Sequence, residues 1–405
     1  MFFINWTLRN VSALLIVASS LLLIQLESTA VANSHSVLER PSKGSFRRLK
    51  TSFEFGRSGH GMSLLSGGNV LISGGGWGDF GGEPKAEILS PLQGTISTLE
   101  SRLSVPRSGA AQLTLRSGQI LLLGGASDFE EALNSTEIFS EVNNEFSPGP
   151  LMDFERSGQT ATLLPDGRVL VVGGLGSRGC VHQTMELFDP LEMKFSLLKG
   201  KLSTPRMNHT ATLIDENTLL IVGGESGQSC DGNEVEDGFL DTAEIIDLKT
   251  FESKLLQTTL ASPRVYHTST QVRSGQVVIA GGIVSLAKST PLIEVFDSNT
   301  KRFISAGALL KSRAMHSTNV LTNGEILIAG GVSDGIPQKS SERCSITEGG
   351  IVSCRFDSEM SVARWMHSSL VLPTGHVLIA GGLTHKVEPG QKHAGPSRSA
   401  ELFKP

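Results

Sequence analysis

An arginine followed seventeen residues later by a Gly-Gly pair occurs seven times in this chain, and no other feature constrains the fold as much. The arginines are Arg57, Arg107, Arg156, Arg206, Arg264, Arg313 and Arg364, and the pairs begin at Gly74, Gly124, Gly173, Gly223, Gly281, Gly330 and Gly381. Successive pairs lie 50, 49, 50, 58, 49 and 51 residues apart. Self-similarity at a fixed period near fifty marks a repeat architecture, in which each unit packs only on its neighbours. Such packing escapes the size limit of a single core, which a 405-residue chain would exceed.

The third repeat shows what one unit contains. Gln159–Leu164 alternates as a strand, Pro165-Asp166-Gly167 is a hairpin turn, and Val169–Val172 is a β-branched run ending at the Gly-Gly pair. Met185–Phe188 reads as a third strand, Asp189-Pro190 turns the chain, and Lys194–Leu197 reads as a fourth. Four short antiparallel strands repeated seven times around one axis predict an all-β, seven-bladed propeller. The seventh unit reaches its third strand, Ala400–Phe403, and has no fourth before Pro405. Phe46 precedes Arg57 by the same interval that separates Phe195 from Arg206, so Ser45–Leu49 is expected to complete the last blade and close the ring, covering two open edges.

With Arg-x-x-His at Arg206, Arg264, Arg313 and Arg364, seven Gly-Gly pairs, and Glu-x-Phe-Asp at Glu186–Asp189, the chain resembles the kelch-repeat superfamily over nearly all of residues 45–405. It departs from that pattern in lacking the usual fourth-strand tryptophan; Phe46, Phe146, Phe195, Phe251 and Phe303 stand there instead. The superfamily includes copper radical oxidases of the galactose oxidase type, whose chemistry requires a tyrosine joined to a cysteine, a second tyrosine and two histidines. Tyr266 is the sole tyrosine here, which argues against that activity. It also includes sialic acid mutarotases, which need only acid–base groups in a polar pocket but have six blades.

Residues 1–32 read as a signal peptide, with Val11–Leu26 apolar and Ala30-Val31-Ala32 a cleavage site; 33–44 is a linker. The apolar run is short for a membrane span, so an uncleaved anchor is the lesser reading and no span is expected after cleavage. Export implies a secreted, periplasmic or extracellular protein. Net charge −5 gives no global attraction to nucleic acid or anionic lipid. Four cysteines in an exported chain fit two disulfides better than a metal site. Cys344 and Cys354 occupy facing apolar positions of neighbouring strands, and Cys180 and Cys230 occupy equivalent loops of adjacent repeats. Asn134 and Asn208 begin glycosylation sequons, relevant in a eukaryotic host.

Two readings of the arginine ring remain open. It can face the central mouth and hold an anionic ligand. Alternatively, it pairs with Glu87, Glu137, Glu186, Glu244, Glu294, Glu342 and Glu401, one per repeat, as an inter-blade set of ion pairs that fixes register. His60, His209, His267, His316 and His367 are too widely spaced for one metal and read as buried scaffold; no metal or cofactor is expected. Departures from the repeat lie in two loops of one face: an acidic one in repeat four with Asp231, Glu234, Glu236 and Asp237, and a basic one in repeat seven with His385, Lys386, Lys392 and His393. A solvated acidic loop is preferred there to a calcium site, because no EF-hand spacing occurs. The expected function is an exported, non-enzymatic recognition module that binds a protein or glycan through the face carrying the strand 4–1 and 2–3 loops. A small sugar-processing enzyme is the alternative.

Overall fold

The computed structural model describes residues 43–76, 82–127, 131–232, 235–272, 275–286, 288–385 and 395–405. The expected signal peptide, the linker up to residue 42, and Glu234, Lys386, Lys392 and His393 lie outside the described residues. Within them the chain forms seven four-stranded antiparallel sheets, six with their strands in sequence order and the seventh completed by the N-terminal strand. In blade 3 these are Thr160–Leu163, Val169–Val172, Thr184–Asp189 and Lys194–Lys201. Three further two-stranded ribbons sit in the 2–3 loops of blades 4, 5 and 6.

Each second strand is a short run of four or so apolar residues, and all of them are buried. Alternation along a strand explains the run, because both faces of the blade meet another blade. In blade 2, Leu121 and Leu123 join Val169, Val171 and Phe188 at the seam with blade 3, whereas Ile120 and Leu122 join Leu65, Leu71 and Leu103 at the seam with blade 1. Seven apolar clusters fill the seven seams. Each fully buried Val or Leu contributes about 1.5–3 kcal/mol, so every seam is held by its own small core.

Ser45–Arg48 pairs antiparallel with Ala400–Lys404 and supplies the fourth strand of blade 7, as the repeat arithmetic requires. Phe46 lies opposite Phe403 with ring centroids 4.9 Å apart. A polar latch secures this strand to blade 6: the Gly44 N–H donates to Asp357 (2.9 Å), whose other oxygen takes Arg343 Nη2 at 2.9 Å.

Phe139–Phe146, Phe188–Phe195 and Phe296–Phe303 are register partners with centroids 4.9–5.1 Å apart. In blade 6 that place is taken by Cys344 and Cys354, which form a disulfide. Blade 4 departs from the expected pattern. Its outer strand is only Ser253–Leu255, and Ile246 faces Ser253. Phe251 sits in the preceding turn at φ 58°, from where it packs on the seam between blades 3 and 4. A second disulfide, Cys180–Cys230, joins the 2–3 loops of blades 3 and 4, beside a parallel bridge between Val181 and Ser229.

Candidate functional site

The seventeen-residue interval is a chemical contact. Every repeated arginine donates from Nη1 to the carbonyl of the first glycine of its own pair, at 2.6–3.2 Å. Each also pairs with the repeated glutamate, N to O 2.5–3.1 Å, and all seven arginines are 0 % exposed. Arg156 is fully engaged: Nε and Nη2 reach Glu186, Nη1 reaches the Gly173 and Thr184 carbonyls, and Nη2 also reaches the Thr184 hydroxyl. Glu186 in turn accepts from the backbone of Asp153 and Phe154 in the segment arriving from blade 2. Burial pulls the Arg156 guanidinium below its ordinary pKa, and the facing carboxylate opposes that pull.

Arginine and glutamate thus belong to one blade, which corrects the expectation of inter-blade pairs. Both sit at the same end of the blade, at the start of its first and third strands. The joint between blades is made by backbone. The second glycine of each pair donates to the carbonyl of the next blade's arginine at 2.7–2.9 Å, from Gly75 to Arg107 round to Gly382 to Arg57. A Cβ on Gly173, which has φ +64°, would stand 2.4 Å from the Arg206 carbonyl oxygen, so the close approach admits only glycine. The arginines are therefore clamps inside the blades and present no group to a ligand.

The five histidines are buried. Nε2 of His209, His267, His316 and His367 shares a hydrogen bond with Thr160, Thr210, Thr268 and Ser317 of the preceding blade. Burial, reinforced by the neighbouring arginine, pushes His60, His209, His267 and His367 down to about 3. They stay neutral, and His209, His267, His316 and His367 serve as inter-blade hydrogen-bonding groups.

The side chains that break the repeat are found one step further along. The residue two after each arginine has positive φ: Gly59, Gly109, Gly158, Asn208, Tyr266, Met315 and Met366, at 52–66°. Their backbones bond blade to blade around the axis, with Gly109 N–H on Gly59 O, Asn208 on Gly158, Met315 on Tyr266, Met366 on Met315 and Gly59 on Met366. The result is a collar at the mouth of the central channel. Four non-glycine residues hold a left-handed conformation there, at about 1–3 kcal/mol each, and such strain collects at functional sites. Blades 1–3 contribute only glycine to the collar, whereas blades 4–7 contribute side chains, so the mouth is lopsided.

Asn208 Nδ2 donates to the Tyr266 hydroxyl at 3.2 Å. Glu225 lies beside them, bridged by backbone to Met207 and paired with Phe239 in the ribbon Glu225–Ser226/Gly238–Phe239. Burial, and then the Asp237 charge, push its carboxyl up to about 6. Burial, with Glu225 adding to it, raises the Tyr266 phenol beyond its ordinary value. Residue type alone did not single out Glu225, and Tyr266 stood out only as the lone tyrosine. The available signal was register: the residues equivalent to Glu225 are Gly76, Ala126, Leu175, Ile283, Val332 and Leu383.

Of the loop residues, Asp231 is tied back to blade 3 by Gln183 (2.6 Å) and Lys201 (3.0 Å), and the first of these bonds is the main reason its pKa is lowered. Glu236 and Asp237 are exposed on the ribbon loop. His385 stacks edge-on against Trp365 at 5.1 Å. The sequon residues are committed to structure: Asn134 Nδ2 donates to the Met152 carbonyl, Thr136 is buried, and Thr210 bonds His267. Two surface recesses of ≈ 290 and ≈ 380 Å³ lie away from the mouth, lined by residues of blades 5 and 6 and of blades 4 and 5 respectively.

No family model matches the chain, and no curated protein does. Among solved structures, it is similar to a fungal alcohol oxidase of the AA5 family, determined in complex with copper, with TM-score 0.69 and 16 % identity over 90 % of this chain and 76 % of that one. At that identity the likeness is one of fold. The donor set for copper radical chemistry does not fit here, because the chain has one tyrosine and all four cysteines are in disulfides. Among the described residues no group of three or more His, Cys, Asp or Glu side chains could hold a metal ion.

Proposed function

We propose that this chain is an exported propeller of kelch type that recognises a glycan or protein through the mouth bearing the collar and the 2–3 loops. One observation carries the reading. The repeated Arg, Glu and Gly-Gly chemistry is consumed inside the scaffold, and the side chains that break the repeat, Asn208, Glu225, Asp237, Tyr266 and Trp365, gather on this one face. A rigid ring that carries irregular loops is the usual arrangement for binding. Two disulfides agree with an oxidising compartment, and among the described residues no helix is long and apolar enough to cross a membrane.

The second reading, a small sugar-processing activity, is favoured by Glu225, whose raised pKa near 6 suits proton transfer at neutral pH. A glycan array run beside a mutarotase assay on the protein lacking residues 1–32 separates the two. Recognition predicts saturable binding without turnover. Turnover that is lost on mutating Glu225 would replace it with the enzymatic reading. Replacing residues 232–236 and 386–394 together with short turns, which keeps Cys230 and Asp231 in place, is expected to abolish binding of a protein or large glycan while leaving thermal stability nearly unchanged. Binding that survives would remove those loops from the site.

A further inference from the structure

Six of the seven residues that follow the Gly-Gly pair and bridge back to the strand after the arginine are Gly, Ala, Leu, Leu, Ile and Val, and the seventh is Glu225. At the neighbouring collar position the polar side chains are Asn208 and Tyr266, flanking the same seam. Three departures from the repeat therefore converge on one point of the mouth, between blades 4 and 5. Elsewhere the buried carboxylates of the repeat each face an arginine. The half-buried Glu225 carboxylate has no hydrogen-bond or ion-pair partner among the described residues, and its charged neighbour, Asp237, has the same sign. A carboxylate withdrawn from water without a counter-charge is costly, so the arrangement is complementary to a cation.

Tyr266 narrows the cation. Its oxygen accepts from Asn208, which leaves the phenolic O–H able to donate to an acceptor oxygen beside the cation, and its ring offers a π face to a positive charge. Blades 1–3 have glycine at the collar, which leaves lateral room opposite for the rest of a ligand.

We propose that Glu225, Asp237, Tyr266 and Asn208 form a binding site for a primary ammonium group with a neighbouring oxygen acceptor. Glu225 and Asp237 take the ammonium, Tyr266 donates to the adjacent oxygen, and Asn208 positions Tyr266. An amino sugar and a free peptide N-terminus both present this chemistry. The inference rests on the recognition reading above and specifies its ligand.

The test is calorimetric titration of the protein lacking residues 1–32 with four probes: a glucosamine tetramer, the same tetramer fully N-acetylated, and a short polar peptide with a free or an acetylated N-terminus. Saturable binding of one free-amine probe, at least tenfold tighter than its acetylated counterpart, is expected, and which probe binds identifies the source. E225Q is expected to weaken that probe at least tenfold with an unchanged circular dichroism spectrum. Y266F, which keeps the ring, should weaken it severalfold. Equal binding of free and acetylated forms, binding indifferent to E225Q, or binding of none of the four would overturn the ammonium site. A glycan-array or protein ligand that E225Q leaves untouched would overturn it too, while the broader recognition reading stands. A protein that binds nothing on the array loses both.

Discussion

Arg156 offers the sharpest test of how the ring is held. Changing it to methionine leaves Glu186, fully buried, with only the backbone N–H groups of Asp153 and Phe154 as partners. Stranding one member of a buried ion pair costs about 3–5 kcal/mol. The Gly173 carbonyl loses its donor at the same time, at about 1–3 kcal/mol if nothing relaxes, whereas the Thr184 carbonyl keeps the Gly173 N–H. Partial relaxation brings the expected total to about 5 kcal/mol. The double variant R156M/E186L removes the stranded charge and should recover about 3 kcal/mol, since apolar replacements of buried pairs are often tolerated. Urea unfolding of the wild type, both single variants and the double variant supplies the cycle. Raising salt to 0.5 M should leave the wild-type midpoint nearly unchanged, because buried pairs are poorly screened. A loss below about 1 kcal/mol for R156M, or a double variant as unstable as the sum of the singles, would refute the clamp. Reduced ligand binding at intact stability would instead return the arginines to the ligand face.

Four further outcomes follow from the same geometry. His60, His209, His267 and His367 have folded-state pKa values near 3 against 6.5 unfolded, so the unfolded chain binds more protons between those limits and stability falls as pH drops from about 6.5. H267N should flatten that fall by about 1.4 kcal/mol per pH unit between pH 6 and 4, read from urea midpoints against pH. Reducing Cys180–Cys230, with 50 residues between its ends, should destabilise by ~4 kcal/mol against ~3 for Cys344–Cys354, with 10, measured on serine pairs. G173A should be strongly destabilised, with proteolysis opening the seam of blades 3 and 4 first, because its Cβ meets the Arg206 carbonyl. E225Q should raise the melting temperature at pH 7.5, by the equivalent of about 1 kcal/mol after discounting for partial exposure, and this gain should fade as pH falls through about 6 and vanish below about pH 4, where Glu225 is protonated in both states.

Much of the scaffold was legible because its contacts repeat. An Arg–Gly interval that recurs seven times has to be a contact within the unit, and the Phe pairs gave the register that places Cys344 opposite Cys354. The ion pairs were harder to assign. A cation and an anion at the same end of every blade satisfy an intra-blade and an inter-blade arrangement equally, and only coordinates separate them. Phe251 departs because the outer turn of blade 4 has the same length as in blades 2, 3 and 5, with Ile246 opposite Ser253, and the Phe falls two residues early, at the positive-φ turn position that Met193 holds in blade 3. The collar left little trace in composition: blades 1–3 announce a left-handed residue with glycine, but Asn208, Tyr266, Met315 and Met366 reach the same conformation without one. Glu225 became visible only once bridge partners aligned it with six apolar residues.

The strand Ser45–Arg48 has a kinetic consequence. It is translated early, yet its partner, Ala400–Lys404, follows about 350 residues later. At synthesis rates of about 5–20 residues per second, it waits roughly twenty seconds to a minute with both backbone edges unpaired. The last seam, where Gly382 reaches back to Arg57, can close only after every other blade has been made. The circle therefore has a seam defined by time as well as by space. An interrupted or truncated chain is left as an open arc with two sticky edges, and the polar latch of Gly44, Asp357 and Arg343 acts as the clasp that ends that exposure.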